Sequence, residues 1–340
     1  MTTHPHTVRQ RAGFRSLTPG QLCFGLFSIF CLLLILRNSD TAIDYMNRGL
    51  RLCAKTVIPS LFPFMVISEL IVSGGVGEVV FRPFAPLFRR LFRIPEAGCC
   101  AVMLGMLCGF PVGARSAAAA LDQGRLTREE AERVLTFSNN PSSAFLINAV
   151  GVSLWGSRAF GVALYAVVLT SQLLTGLLFA HLPRRAEAGA ELPAPSPPVR
   201  ARTGAAFFTG AVRSACAGML LVCAYVIFFS ALCGTLNLLL DALRLPAAAE
   251  AAVFCLFELS GGMSAAAALQ TPLPAALLCA FAAGWSGLSV HCQILSVCDG
   301  RGLRFRSYFL AKLLQSLLCV LLLGGLLTAC PGLMLPGRTV

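Results

Sequence analysis

The sequence predicts an all-α, multi-pass membrane protein built from two inverted repeats. Each repeat is expected to hold a re-entrant helical hairpin and a broken helix, and an N-terminal anchor helix precedes them. Three observations predict this fold class. Of the 340 residues, 56% are hydrophobic and only 12% are charged, about half the charged fraction of an ordinary soluble domain. The apolar residues form long runs, and one short motif recurs.

A run of about 20 apolar residues is long enough to cross the hydrocarbon core of a bilayer. Such runs lie at residues 17–36, 57–80, 158–182, 212–240 and 309–334. The last run holds a single charge, Lys312. The first run follows a basic segment, but it exceeds the roughly 7–15 residues of a secretory signal and has no small-residue cleavage pattern. We therefore expect it to remain as an anchor helix.

The recurring motif is SAAAAL, at residues 116–121 and again 148 residues later at 264–269. The same offset aligns Ser138 with Ser286, and the order of apolar runs is the same around both copies. This colinear series predicts a duplication. The predicted organisation is a tail and anchor helix (1–50), a first repeat (51–182), a polar Pro- and Ala-rich cytoplasmic linker (183–211), a second repeat (212–330) and a tail (331–340).

Each repeat contains an apolar stretch that is interrupted near its middle. In the first repeat, residues 97–121 are broken by two glycines and a proline at 109–113. In the second, residues 247–269 are broken at 260–262. Glycine and proline interrupt helices, and each remaining arm is too short to span a bilayer. The pattern therefore predicts one re-entrant hairpin in each repeat, with the SAAAAL segment as its second arm.

The distribution of arginine predicts the orientation. With the N-terminus in the cytoplasm, the arginine clusters near residues 82–93, 184–202 and 301–306 all lie inside, as the positive-inside rule requires. Residues 37–55 do not fit, because this charged segment would be an outside loop. The count is seven full crossings plus two hairpins, in the cell membrane or, in a spore-forming host, the outer forespore membrane.

Polar residues at membrane depth are costly and are therefore functional candidates. Arg115 follows the first break, Glu258 precedes the second, and Glu69 lies in the first helix of repeat 1. Helix ends at such breaks bind anions or cations near the midplane. The predicted substrate-binding residues are Arg115, Ser116, Asn139, Asn140, Ser142, Ser286, Ser289, His291 and Gln293. Glu69 and Glu258 are predicted to be coupling or structural polar residues, with H⁺ or Na⁺ as the coupling ion.

Structural alternatives exist for the same residues. Arg115 at a membrane interface is equally consistent with snorkelling. Glu258 is also suited to cap a half-helix or to pair with Arg115, and Glu69 to make a polar helix–helix contact. A lone histidine such as His291 is more often a packed, hydrogen-bonded residue than a ligand. The alanine runs favour close helix packing.

Several function classes lack support in the sequence. No glycine-rich phosphate loop, G-x-S-x-G or H-E-x-x-H motif occurs, so we do not expect an enzyme. Thr127 and Glu130 form a capping-box pattern, which predicts the start of a solvated helix. The net charge of +12 arises from arginines between apolar runs and does not indicate nucleic-acid binding. The 15 cysteines form no C-x-x-C pair, so neither a disulfide framework nor a metal site is expected.

Four stretches carry a family resemblance. They are IPSLFPFMVISE (58–69), CGFPVGAR (108–115), EEAERVLTFSNN (129–140) and GLSVHCQ (287–293). They resemble the sporulation integral membrane proteins of the YlbJ type, which carry nucleoside recognition or gate domains. The resemblance covers about residues 50–325, nearly all of the chain outside the first helix and the tails.

The resemblance implies a role in spore formation and passage of a small anionic metabolite, dipicolinate, across the outer forespore membrane. On this hypothesis the protein is a transporter that works by alternating access or gating at the hairpin tips. Two alternatives remain open at this point: a non-transporting scaffold for sporulation proteins, and a nucleoside carrier. The expected partners are the anionic metabolite and the lipid bilayer, with a homo-oligomer or other sporulation membrane proteins as further partners and no nucleic acid.

Overall fold

The structure is a computed structural model that describes residues 18–182, 204–330 and 332. Within these residues the regular elements are helices and no strand is present, so the predicted all-α class is confirmed. The N-terminal tail, most of the predicted linker and nearly all of the C-terminal tail lie outside the described residues.

The first half contains nine α-helices, two π-helical segments and one short 3₁₀ turn among its described residues. In chain order they are α1 (Pro19–Arg37), α2 (Ser39–Leu52), π1 (Cys53–Val57), α3 (Ile58–Ser73), α4 (Val76–Phe81), the 3₁₀ turn (Arg82–Phe84), α5 (Ala85–Phe92), α6 (Glu96–Cys108), α7 (Val112–Asp122), α8 (Arg128–Leu135), π2 (Phe145–Leu154) and α9 (Arg158–His181).

The second half contains six α-helices among its described residues. They are α10 (Ala205–Ala242), α11 (Ala247–Phe257), α12 (Leu259–Ala267), α13 (Pro272–Trp285), α14 (Gly287–Cys298) and α15 (Arg306–Ala329).

Six helical stretches of the described chain are long and apolar enough to cross a membrane. They are α1, the continuous stretch from α2 through π1 to α3, α9, α10, the stretch from α13 to α14, and α15. A seventh arises only if the helices over Val79–Phe92 and Glu96–Cys108, bent by 99°, are counted as one span. The predicted count was seven. Between α7 and α9 no described helix is long enough to be counted, because this part consists of the polar, eight-residue α8 and a separate ten-residue π2.

Two predicted boundaries were wrong. Residues 37–55 are not a loop: all but Asn38 are helical, and Ser39–Ser73 is a single 35-residue stretch. Its charged residues occupy one face of an amphipathic helix, which sequence reading took for an outside loop. The linker predicted to reach residue 211 ends earlier, because α10 begins at Ala205 in an apolar segment.

The predicted hairpin breaks are present in both halves. In the first half α6 ends at Cys108 and α7 begins at Val112, as the Gly/Pro cluster predicted. In the second half the break is at Glu258, two residues before the predicted Ser260, and the glycines lie in the first turn of α12. Thr127 also caps α8, and Glu130 completes the predicted capping box.

The last helix of each half has the same length and the same place in the predicted repeat. α9 and α15 both have 24 residues, and their first residues are 148 positions apart. They pack against each other, and the Oγ atom of Ser171 lies 3.0 Å from the Sγ atom of Cys319, again 148 positions later. These positions agree with the offset in the sequence, while the inverted orientation of the halves stays a prediction.

Small residues let the helices of the second half approach closely. α13 carries Ala276, Ala280 and Gly284 on one face, all buried, and it packs along α15. α10 packs along both α2 and α3. The breaks are therefore held inside a helical frame, where irregular backbone at membrane depth is tolerated.

Candidate functional site

Two long helical rods border the candidate site. One runs from α2 through π1 to α3, and the other is the 38-residue α10. At 1.5 Å per residue each is over 50 Å long, more than the roughly 30 Å of a hydrocarbon core. Three cavities lie along these rods. We name them the Arg115 vestibule, the central constriction and the Arg48 vestibule.

The Arg115 vestibule has a volume of about 400 Å³. Its polar lining consists of Ser68, Glu69, Arg115, Ser116, Asp122, Ser214 and Arg301. The cavity is bordered by the C-terminal part of α3, by α7 and by the N-terminal part of α10. Two of the predicted substrate-binding residues, Arg115 and Ser116, therefore face this space.

Arg115 is held by α3 and α10. Its Nη2 atom donates to Glu69 Oε2 at 3.0 Å and to the Ser214 hydroxyl at 2.6 Å, and its Nη1 atom donates to the Ser214 carbonyl at 3.3 Å. The alternative pairing of Arg115 with Glu258 is wrong, because Glu69 is the partner. The Arg115 side chain lines a protein cavity and is about three-quarters buried.

The Arg48 vestibule has a volume of about 380 Å³ and lies between α2, α12 and the C-terminal part of α10. Its lining includes Tyr45, Arg48, Ser230, Glu258 and Ser264. The Arg48 guanidinium lies 4.8 Å from the centre of the Tyr45 ring, a cation–π contact that orients it. Sequence reading assigned Arg48 to an outside loop and so missed it as a lining residue.

The central constriction has a volume of only about 30 Å³, close to the share of one water molecule in the liquid. Its polar lining consists of Ser60, Ser142, Glu258, Ser260, Ser289 and Gln293, and Phe110 and Phe145 are among its apolar walls. Phe110 and Ser142 come from the breaks of the first half, and Glu258 from the hairpin break of the second. The breaks of the two halves thus meet here.

Within each half, the hairpin break touches the break of the next helix. A Cβ atom on Gly109 would lie 2.6 Å from the amide nitrogen of Ser142, and one on Gly287 would lie 3.0 Å from the amide nitrogen of Leu259. Both glycines have positive φ values, 81° and 80°. Only glycine fits this combination of backbone conformation and close approach.

Glu258 forms the second hairpin break by capping α12. Its carboxylate accepts hydrogen bonds from the amides of Ser260 and Gly261, which satisfies two free N–H groups at the start of the helix. The side chain lines both the constriction and the Arg48 vestibule, although only 2% of the residue is exposed. Glu258 therefore caps α12, which was one of the structural alternatives for this residue.

Asn139 and Asn140 join the first hairpin to the segment after α8. The Phe110 amide donates to the Asn140 carbonyl at 2.8 Å, and the Ala114 amide donates to Asn139 Oδ1 at 2.9 Å. Both asparagines are 1% exposed and line none of the three cavities. In this conformation they support the hairpin tip, and Ser142 is the residue of this segment that reaches the constriction.

Lys312 is a buried polar residue that sequence reading missed. Its Nζ atom donates to the Asn139 carbonyl, Asn140 Oδ1 and Gln315 Oε1, at 3.0, 3.3 and 3.0 Å. These three oxygens satisfy all three N–H groups of the ammonium, which burial requires. The signal was present, since Lys312 is the single charge in the last apolar run.

Ser286 and His291 lie near the constriction but do not line it. Ser286 is the break between α13 and α14, with a φ of 77°, and its buried hydroxyl has no hydrogen-bond partner. His291 is packed between Trp285 and Phe309, and its Nδ1 atom shares a 2.7 Å hydrogen bond with the Tyr308 hydroxyl. Ser289 and Gln293, on the same helix as His291, do reach the cavity.

Two ion pairs join the halves outside the apolar spans. Arg301 donates to both carboxylate oxygens of Asp122, at 2.8 and 2.7 Å, and Arg304 donates to Glu132 at 3.2 Å. The hydrogen bonds to Asp122 raise the pKa of the Arg301 guanidinium above its ordinary value. Because Asp122 and Arg301 also line the Arg115 vestibule, the first pair lies at the edge of that cavity.

A search of curated proteins found similarity to a sporulation integral membrane protein, YlbJ, of Bacillus subtilis strain 168. The two sequences are 25% identical over 324 residues, which cover 86% of this chain and 79% of that protein. The predicted YlbJ-type resemblance is thereby confirmed. No family model matches the chain, and no solved structure matches it.

Proposed function

We propose that this YlbJ-like, multi-pass membrane protein transports a small organic anion through the line of its three cavities. The observation that most directly supports this proposal is the order of those cavities along both rods. Along α10, residues 214–221 line the Arg115 vestibule, 222–226 the constriction and 230–233 the Arg48 vestibule. Such an order is what a pathway across a membrane requires.

The second rod supports the same path in the opposite chain direction. Residues 45–52 line the Arg48 vestibule, 57–61 the constriction and 65–72 the Arg115 vestibule. A packed scaffold has no need of two polar cavities on either side of the point where its helix breaks meet. Broken helices beside a central site are typical of secondary transporters.

The arginines favour an anionic substrate. Arg115 lines one vestibule and Arg48 the other, and a guanidinium binds carboxylates through two parallel hydrogen bonds. Arg115 is paired with Glu69, so an incoming carboxylate would exchange with that of Glu69. Each vestibule is as large as an ordinary small-molecule site, whereas the constriction is far smaller. Passage therefore requires the hairpin tips at Phe110 and Glu258 to move.

The relative's name assigns that protein to sporulation, and we extend the assignment to this chain. Dipicolinate, which the family resemblance implies, is the substrate to test first. It carries two carboxylates, which suits a pathway with an arginine at each end.

The test is uptake of labelled dipicolinate into proteoliposomes that contain the purified protein. We expect Arg115→Ala to lower uptake roughly tenfold or more, the equivalent of about 1.4 kcal/mol in binding. Glu69→Gln should lower the half-saturating concentration, because it removes the competing carboxylate. Arg158→Ala is the matched control, since Arg158 is an exposed arginine at the start of α9 that lines none of the three cavities.

Two outcomes would overturn the proposal. Absence of uptake by a folded wild-type protein would favour the scaffold hypothesis. Competition by nucleosides, but not by dicarboxylates, would favour a nucleoside carrier. Equal uptake by Arg115→Ala and Arg158→Ala would refute the role of Arg115.

A further inference from the structure

Glu258 is a buried carboxylate without a cationic partner. Its residue is 2% exposed, and among residues 18–182 and 204–330 no Lys, Arg or His forms an ion pair with it. The two amide hydrogen bonds from α12 stabilise the ionised form. They do not cancel a full charge at membrane depth, which ordinarily needs a counter-ion or a proton.

Other oxygen atoms converge on the same small cavity. Ser289 is 0% exposed and Gln293 is 1% exposed, and both line this cavity. Neither Ser289 Oγ nor Gln293 Oε1 has a hydrogen-bond partner. The hydroxyl of Ser142 accepts from the Phe145 amide, and the hydroxyl of Ser60 donates to the Val57 carbonyl. Each hydroxyl oxygen therefore keeps a lone pair for another ligand.

We propose that the central constriction binds a sodium ion through the Glu258 carboxylate, Ser289 Oγ and Gln293 Oε1, with Ser60 and Ser142 completing the oxygen set. All five ligand atoms are oxygens. Such a set favours a hard cation over a transition metal. One carboxylate matches one positive charge. The cavity of about 30 Å³ accommodates a single ion or water.

Protonation of Glu258 is the competing explanation, and it accounts for less of the structure. A proton would neutralise the carboxylate and add one O–H donor, which can serve Ser289 Oγ or Gln293 Oε1 but not both, so one of these buried oxygens would keep no partner. Such an orphan acceptor costs about 1–3 kcal/mol. A cation satisfies Glu258, Ser289 and Gln293 together. The oxygen set therefore favours sodium.

The ion would connect both halves of the protein at the point of closure. Ser60 and Ser142 belong to the first half, and Glu258, Ser289 and Gln293 to the second. Occupancy would hold the two hairpin breaks together, so movement of the tips would be linked to binding and release. This inference deepens the proposed function, because the bound sodium would be its coupling ion, but its test needs no substrate.

The test uses the full-length protein purified in detergent. Its apparent melting temperature is compared in sodium chloride and in choline chloride at equal ionic strength, and saturable binding of ²²Na⁺ is measured directly. At sodium concentrations about tenfold above the dissociation constant, we expect the wild type to gain roughly 3 °C in sodium. Glu258→Gln should lose both the sodium-dependent rise and the saturable binding.

Ser289→Ala keeps the test informative if Glu258→Gln fails to fold. This variant removes one ligand atom, and we expect it to fold and to bind sodium roughly tenfold more weakly. Glu250→Gln is the matched control, because it removes a carboxylate from α11 outside the three cavities and should retain the wild-type response.

Identical melting temperatures in sodium and choline for the wild type, with no saturable ²²Na⁺ binding, would overturn the proposal. A stabilisation that follows pH alone would overturn it in favour of protonation. Sodium binding without dipicolinate uptake would leave this inference standing and reject the proposed substrate. Dipicolinate uptake that needs no sodium, together with absence of sodium binding, would reject this inference and leave the proposed substrate standing.

Discussion

Gly284 provides a sharp test of how closely the second half must pack. A Cβ atom built on Gly284 lies 2.5 Å from the Cα atom of Ser316 and 2.8 Å from its amide nitrogen, whereas ordinary van der Waals contact begins at 3.4 Å. Both are backbone atoms of α15 and cannot rotate away. In Gly284→Ala, α13 and α15 must therefore separate by about 0.9 Å.

The control is Gly325→Ala in α15, where nothing lies within 4 Å of the added Cβ. Both variants gain the same helix propensity, about 0.5–1 kcal/mol. Only Gly284→Ala incurs the overpacking cost, about 1–3 kcal/mol. The propensity gain cancels in the comparison, so Gly284→Ala should be less stable than Gly325→Ala by about that cost. This corresponds to a difference of roughly 3–8 °C in apparent melting temperature.

Transport should respond as well. α15 carries Lys312, whose hydrogen bonds to Asn139 and Asn140 are 3.0 and 3.3 Å long. A shift of about 0.9 Å in α15 is large enough to lengthen them beyond hydrogen-bonding distance. We expect lower dipicolinate uptake by Gly284→Ala and unchanged uptake by Gly325→Ala. Equal melting temperatures and equal uptake would refute the close approach of α13 and α15.

Two further predictions concern buried contacts of α15. Asn140→Leu removes an acceptor from the Lys312 ammonium, so the apparent melting temperature should fall by the equivalent of about 2–3 kcal/mol. The double variant Asn140→Leu/Lys312→Leu should recover part of this loss, because it also removes the charge. Absence of any recovery would argue against a buried charge at Lys312. Ser171→Cys should form a disulfide with Cys319 on mild oxidation. After cleavage at a protease site inserted within 183–203, the halves should stay joined until reduction, and they should separate without reduction if Cys319 is also replaced by Ser.

Local signals predicted the helix breaks well. The Gly-Phe-Pro sequence after Cys108 has no way to continue a helix, and Thr127 with Glu130 forms a cap from residues three apart. The second break was misplaced for a local reason too. The glycines at 261–262 suggested the interruption, but the Glu258 carboxylate, for which capping was one alternative, fixes where α12 starts.

Contacts between distant residues were beyond the reach of sequence patterns. Arg115 is 46 residues from Glu69 and 99 from Ser214, and Lys312 is 173 residues from Asn139. No periodicity links such pairs. The predicted substrate-binding residues therefore divide in the structure. Lining a cavity are Arg115, Ser116, Ser142, Ser289 and Gln293, whereas packed around the cavities are Asn139, Asn140, Ser286 and His291. Their roles in binding stay predictions.

The two predicted repeats differ in how their breaks are supplied with charge. At the break after α8, the positive charge comes from the Lys312 ammonium. It donates hydrogen bonds to two oxygens of that break, on Asn139 and Asn140, and to Gln315 on its own helix. At the constriction, Ser289 Oγ and Gln293 Oε1 line the same cavity as the Glu258 carboxylate, and no described Lys, Arg or His forms an ion pair with that carboxylate. A charge from the second half thus stabilises the break of the first half, whereas the Glu258 carboxylate is left to take its positive charge from solution. Because the proposed sodium site takes ligands from both halves, ion binding would hold the halves together at the constriction, and its release would allow the movement that coupled transport requires.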